Sequence, residues 1–595
     1  MRDQNMLSNF GRLLLSVTLI SCLGAACSSA VLADGSSSGA GIEKLIAELT
    51  DIETRAAKTI GNDKSTAAEL EAVLPAIQRG LSRLSAPEGL RLANGDSTLQ
   101  DLRPILLFRL AELQTRLGRK NEALNLLDSV LLELPGWLRH ELLKGSSFAS
   151  LGNDPEFERI KIRLERATAL WDGSSFLSEF KENISEDEKI AGLSAFWSEV
   201  KNNFMNPSRL VEVDWDRLYL SYLPRVRQTK STFEYYRVLQ EMCARLQDGH
   251  TRIWMPMELH ERQAIAGELE TALVEDKVVL VAVNSEELRK QGLAPGQEIV
   301  SIDGIAVKKY AEEQVAPYQS ASTPQDLAVW VYSYMLTLGA KGQAIRLEVR
   351  GFDGQTITAS IPRTRNLAPG PSRPLIESRM LDGNIAYVAV NSMNDLKVVA
   401  EFAQALEGIG QRANALILDV RNNGGGNSGN GYEILNYLTD QPYLTSDWKT
   451  RSYSPTFRSW GKGLQWRIFP AGEITPKREK HFTKPVALLI GPRTYSAAED
   501  FCVAFRNAKR GPIVGELSGG STGNPLSIRL PGGGMAMICT KLDSYPDGTM
   551  FVGVGIKPDL TVSASVEDVR VGRDRALETA ARALSERAGV MPDKN

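Results

Sequence analysis

Apolar positions recur at helical spacing from residue 42 to about 183, whereas beyond about residue 366 short apolar runs alternate with amphipathic stretches. The first regime predicts an all-helical domain and the second an α/β core. Within the core, Val486 to Ile490 reads as a buried strand broken by Gly491-Pro492. Ala498, Phe501, Cys502 and Phe505 then fall at i, i+3, i+4 and i+7, which predicts a helix closed by Lys509-Arg510 and a C-cap at Gly511. Ser496 sits at the mouth of that helix, where free N–H groups and the positive dipole end favour a developing oxyanion. Taken alone, it is more simply an N-cap. A second strand, Ala415 to Arg421, runs straight into Asn422-Asn423-Gly424-Gly425-Gly426. Arg573 to Ala588 reads as an amphipathic closing helix.

The segments before the core divide by pattern. Leu117-Gly118 and Leu151-Gly152 stand 34 residues apart, the tetratricopeptide period, with Ala111, Ala123 and Pro135 where such a repeat wants small residues and a closing proline. Two units are too few for a free-standing solenoid, so residues 34–183 are expected to form a small TPR-like helical domain. Helix-hairpin packing is the simpler reading of it, and docking of a protein partner the functional one. Residues 184–264 continue as amphipathic helices ending near Asp248-Gly249, and Thr251 to Trp254 alternates like a strand. His250 therefore falls at a helix-to-strand corner, where by itself it reads as structural. In residues 265–365, Gly292-Leu293, Pro295-Gly296 and Ile302-Asp303-Gly304 resemble the groove segment of PDZ domains, which add an extended peptide to a sheet edge. The alternative is a small β-domain that only spaces or gates its neighbours.

Composition narrows the class. At 595 residues the chain should hold several domains, and a net charge of −3 without a long basic run gives no support to nucleic-acid binding. Arg2 and Arg12 precede an apolar stretch too short to span a bilayer comfortably, followed by small residues ending at Ala33. Residues 1–33 thus read as a signal peptide, and the chain as exported to the periplasm or cell envelope. The LISC segment ending at Cys22 also resembles a lipoprotein signal, which would leave a lipid anchor on that cysteine. Cys243, Cys502 and Cys539 remain in either case, and their spacing supports neither a disulfide framework nor a metal site. No metal or other cofactor is called for.

Three glycines after a buried strand let backbone N–H groups approach a substrate, and a serine at a neighbouring strand-to-helix turn supplies a nucleophile. The set LILDVRNNGGG, GPRTYSAAED, VGE, STG, PDG and GVGIKPD, in that order, resembles the C-terminal processing (tail-specific) and tricorn-core serine peptidase family over roughly residues 185–566. The resemblance implies a multidomain α/β protein: a crotonase/ClpP-like peptidase core in residues 366–595, a PDZ-like insert, and the helical segment 184–264 as part of the peptidase. It implies Ser496 as nucleophile, with the N–H of Ala497 and one from Gly425 or Gly426 as the oxyanion hole.

The branches of that family differ in the base. The processing branch uses a lysine 25 residues after the serine, and Ser521 stands there in this chain. The tricorn-like branch draws a histidine from the helical segment, which makes LQDGHT, and so His250, the implied general base. Its ordinary pKa near ~6.5 suits proton transfer at neutral pH. In tricorn a serine of the catalytic tetrad precedes the histidine, where Gly249 stands here. The acid orienting His250 stays open among Glu499, Asp547, Asp543 and Asp248, and Lys541 is the alternative base. The expected activity is an exported serine peptidase acting on peptide or protein C-terminal regions. The rival readings are a non-proteolytic binding or scaffold protein on the same fold, and a hydrolase of esters or small amides.

Overall fold

The computed structural model describes residues 38–93, 96–172, 177–366, 373–478 and 481–588. The signal segment, with Cys22, lies outside them. The described residues fall into two compact units, one ending at residue 172 and the other beginning at residue 177.

The first unit is helical among its described residues. Its long helices are Ser38–Ile60, Ala67–Ser85, Ser97–Arg116 and Pro155–Asp172, with shorter ones at Lys120–Val130 and Gly136–Lys144. Thr66 opens the second helix by accepting from Glu69 N while its own N–H meets the Glu69 carboxylate. Leu49, Ile77 and Leu106 fill one core, and Phe108, Leu127, Ile160 and Leu164 another. Gly118 turns the chain between Ser97–Arg116 and Lys120–Val130, with φ of +74°.

The second unit holds the chemistry. Its central sheet runs Ile376–Leu381, Ile385–Val390, Ala415–Asp419, Val486–Ile490, Ile513–Gly515, Leu560–Thr561. The first pair is antiparallel and every later pair parallel. All five residues of both Ala415–Asp419 and Val486–Ile490 are buried, as expected of strands covered on both faces. Phe402, Phe501, Phe505 and Leu435 pack on one face, and Ala576, Ala580 and Leu584 of the closing helix Arg575–Ala588 on the other. The glycine loop and Ser496 therefore leave the sheet at the carboxyl ends of two adjacent parallel strands, where ligands of such sheets bind.

Residues 269–362 fold as an antiparallel sheet in which Leu269–Val274, Lys277–Val283, Glu298–Ile302, Ala344–Arg350 and Thr356–Pro362 neighbour one another in that order. A helical run from Pro324 to Tyr334 lies beside the first strand, and Thr271 Oγ1 donates to Tyr332 O across the gap at 2.5 Å. The helices Glu186–Asn203, Trp215–Gln228 and Thr232–Ala244 form a separate cluster, into which Leu530, Ala536 and Ile538 of the core's late strands insert. One local expectation is corrected. The helix Ala497–Asn507 closes through Lys509 in the left-handed region (φ +51°), not through Gly511. Gly511 is required for space instead, since a Cβ there would lie 1.7 Å from Val486 O.

Candidate active site

Ser496 does not have the conformation of an ordinary N-cap. Its φ is +55° and ψ −126°, a region that costs a non-glycine residue about 1–3 kcal/mol and persists only when the surroundings enforce it. Here they do. Ser496 N donates to Ser521 O at 3.0 Å and to Glu499 Oε2 at 3.1 Å. Gly425 presses against it, for a Cβ on that glycine would lie 2.7 Å from Ser496 Cβ. Turned this way, the Ser496 hydroxyl faces His250, with Oγ 3.1 Å from Nε2.

His250 is delivered from the helical segment. Asp248 Oδ1 accepts from His250 N (3.1 Å) and from Thr251 Oγ1 (2.8 Å), which shapes the corner. Arg252–Trp254 then pairs antiparallel with Met535–Ile538, and Thr251 Oγ1 accepts from Cys539 N, so the corner is stitched to the core. The imidazole stacks on Tyr495, rings 5.0 Å apart and 9° from parallel. Gly523 opens space for it, since a Cβ there would lie 2.8 Å from His250 Cγ. Gly249, which stands where the tricorn-like pattern has a serine, leaves room for Tyr495: a Cβ at Gly249 would be 1.9 Å from the tyrosine hydroxyl.

The other ring nitrogen meets a hydroxyl, not a carboxylate. His250 Nδ1 lies 2.8 Å from Ser521 Oγ. Along the chain Ser521 is distinguished only as the residue standing where the processing branch has its lysine. The four acids weighed for this contact are engaged elsewhere. Buried Glu499 accepts from Ser518 Oγ and Gly520 N at Oε1, and from Ser521 N and Ser496 N at Oε2. It thus fixes the backbones of both serines that flank the imidazole. Asp248 shapes the corner, and Asp543 binds Thr522 Oγ1 and the ammonium of Lys541. Asp547 sits in an exposed turn, accepting from Thr549 N.

Burial of the imidazole, assisted by the nearby Arg252 and Lys541 cations, lowers the His250 pKa to about 3. Burial likewise pushes Glu499 up to about 8 against the pull of its donors, with Ser518 the strongest of them. Lys541 differs: burial works against its charge, but Asp500 and Asp543 outweigh it and raise its pKa. It is therefore held as an ammonium and is a poor candidate base. Among the oxyanion candidates, Gly425 N–H is donated to Asn423 Oδ1 at 2.9 Å. Neither Gly426 N–H nor Ala497 N–H has a protein acceptor among the described residues. The three described cysteines are buried free thiols, and among the described residues no group of acids, histidines and cysteines is placed to hold a metal.

Comparison with known proteins gives a consistent picture. Residues 384–562 match peptidase family S41, and residues 188–244 the tricorn protease C1 domain. A chloroplastic C-terminal processing peptidase of Tetradesmus obliquus is 23% identical over 367 residues, which cover 59% of this chain and 73% of that protein. A carboxyl-terminal-processing protease of Synechocystis sp. is 24% identical over 395 residues, 64% of this chain and 82% of its own. Among solved structures, mature CPAF complexed with lactacystin superposes with a TM-score of 0.54 at 16% identity, over 68% of this chain and 99% of that one. At that identity the likeness speaks for the fold.

Proposed function

We propose that this chain, a serine-type peptidase of family S41, cleaves polypeptides with Ser496 as nucleophile and His250 as general base. The supporting observation is the hydroxyl–imidazole–hydroxyl line, Ser496 Oγ to Nε2 and Nδ1 to Ser521 Oγ, at 3.1 and 2.8 Å. With the neutral ring protonated on Nδ1 and donating to Ser521, the Nε2 lone pair faces the Ser496 O–H. As Oγ attacks the scissile carbonyl carbon, its proton passes to Nε2. The carbonyl oxygen becomes an oxyanion facing the N–H groups of Ala497 and Gly426. No carboxylate among the described residues touches the ring, so the imidazolium is a strong acid and readily returns its proton to the departing amine. Water, deprotonated by the same nitrogen, then hydrolyses the acyl-serine. Glu499 and Ser521 act as positioning residues: the first holds two backbones, the second the ring.

The processing relatives suggest C-terminal regions of proteins as substrates, with residues 265–365 as a PDZ-like module capturing the chain end. The Thr271–Tyr332 contact bridges the strand and helix that flank such a groove, so capture would have to part them. Export, attachment through a lipidated Cys22, and partner docking on the TPR-like helices belong to the same reading.

Ser496→Ala tests it. The variant should fold, lose hydrolysis of peptides, and fail to react with a fluorophosphonate that labels the parent at Ser496. A parent that folds but resists the reagent would place the chain with non-proteolytic scaffolds on this fold. An Ala variant that cleaves as well as the parent would remove Ser496 from the mechanism.

A further inference from the structure

Residues 448–469 leave the peptidase core as a hairpin that the proposed chemistry does not use. Its strands, Asp447–Ser452 and Gln465–Phe469, are paired antiparallel, and the first also pairs with Leu542–Ser544. The root is fixed: Trp448 stacks on Phe469 with ring centres 3.7 Å apart, Thr450 Oγ1 donates to Thr540 O, and Arg451 Nη1 donates to Lys201 O. Among the described residues nothing covers the far end. Tyr453, Phe457, Trp460, Leu464 and Ile468 are 61%, 40%, 65%, 57% and 67% exposed, a density of apolar surface that water disfavours. Phe457 and Trp460 sit side by side, rings 5.7 Å apart, on and just after the short helix Pro455–Ser459.

The charge pattern says what would cover it. From residue 448 to 472 there are five cations, Lys449, Arg451, Arg458, Lys462 and Arg467, and no acidic residue, in a chain whose net charge is −3. Arg458 and Lys462 are exposed between the aromatic side chains. Rings interleaved with cations, and no anion among them, match the interface of a negatively charged bilayer. There aromatic rings settle at headgroup level and Lys and Arg meet phosphate. We propose that the tip of this hairpin, residues 452–464, docks the protein onto anionic phospholipid membranes. The docking is independent of any lipid on the N-terminal segment. Because the hairpin root pairs with the strand carrying Asp543, which binds Thr522 beside Ser521, docking would bring the Ser496 region to polypeptide at the membrane surface.

Hydrogen exchange on the full chain tests the proposal, because it reports the segment and not merely the protein. Phosphatidylglycerol vesicles should slow exchange across 452–464 and phosphatidylcholine vesicles should not. Phe457→Ser/Trp460→Ser should abolish that protection while peptide hydrolysis is retained. Each cation at an anionic surface is worth about a fivefold gain in partitioning, so Arg458→Gln/Lys462→Gln should weaken the vesicle-dependent protection about 25-fold. No protection by phosphatidylglycerol, or equal protection by both lipids, overturns the proposal. So does protection that appears without vesicles and rises with protein concentration, which would make the tip an interface between copies of this chain.

Discussion

Replacing Ser521 with Ala isolates the least expected part of the site. The backbone there is pinned at both ends, since Ser521 N donates to Glu499 and Ser521 O accepts from Ser496 N. Removing the hydroxyl should therefore leave the loop in place and take away the partner of His250 Nδ1, together with the hydroxyl that neighbours the buried Tyr495 O–H. A buried donor left without an acceptor costs about 1–3 kcal/mol. If that cost falls on the productive ring orientation, kcat/KM drops by about 5- to 150-fold. Stacking on Tyr495 still restrains the ring plane, so the loss should stay below that of removing His250 itself. Ser521→Asp is the complementary change. It sets a carboxylate near Nδ1, stabilises the imidazolium, and should move the acidic limb of the pH profile upward. The assay is kcat/KM on a fluorogenic peptide from about pH 4 to 9, with the rate of fluorophosphonate acylation, and thermal unfolding to confirm the fold. An Ala variant with an unchanged acylation rate and an unchanged pH limb would refute the role of Ser521.

Two further outcomes follow from the buried ionisable groups. His250, with its pKa lowered to about 3, should remain a neutral base far below the usual imidazole range. The acidic limb of kcat/KM should then lie below about pH 5, and half-maximal activity near ~6.5 would contradict the lowered pKa of this half-buried ring. The same shift bears on stability: the unfolded histidine takes up a proton as pH falls through ~6.5 while the native one does not, so this group's contribution is lost between there and about pH 3. Glu499 runs the other way. Its folded pKa of about 8 lies above the unfolded value, so its contribution is full at acid pH and is lost as pH rises through about 8. Above about pH 8, where Glu499 is a carboxylate accepting at both oxygens, Glu499→Gln should cost about 1–3 kcal/mol in unfolding free energy, because either way the amide NH2 faces a backbone N–H, that of Gly520 or those of Ser496 and Ser521. Denaturant unfolding reads this directly, and a variant as stable as the parent would mean Glu499 is not the clamp.

Much of this was legible along the chain because it depends on local order. Apolar periodicity marks the strands Ala415–Asp419 and Val486–Ile490 and the helix after Ser496, and the breaks between them locate the glycine loop and the serine turn. His250 at a helix-to-strand corner was equally readable, since the pattern changes there from one period to another. What the chain could not reveal is which groups converge. Ser521 lies 271 residues from His250 and 25 from Ser496, in a loop with no periodicity of its own. A lone hydroxyl in such a loop carries no signal along the chain that would mark it as the partner of an imidazole. Gly425 and Gly426 are indistinguishable as letters, and only the Asn423 side chain, by taking the N–H of the first, separates them.

The sequence by itself determined the elements, the turns that carry Ser496 and the triple glycine, and the corner that carries His250, because each rests on interactions between residues close in the chain. The tertiary structure alone decided the partner of the imidazole, the engagement of Glu499 with two backbones, and the exclusion of a side chain at Gly249 by Tyr495. Those are contacts between distant segments, fixed by how the late core strands fold back against the helical segment, and no spacing along the chain encodes them.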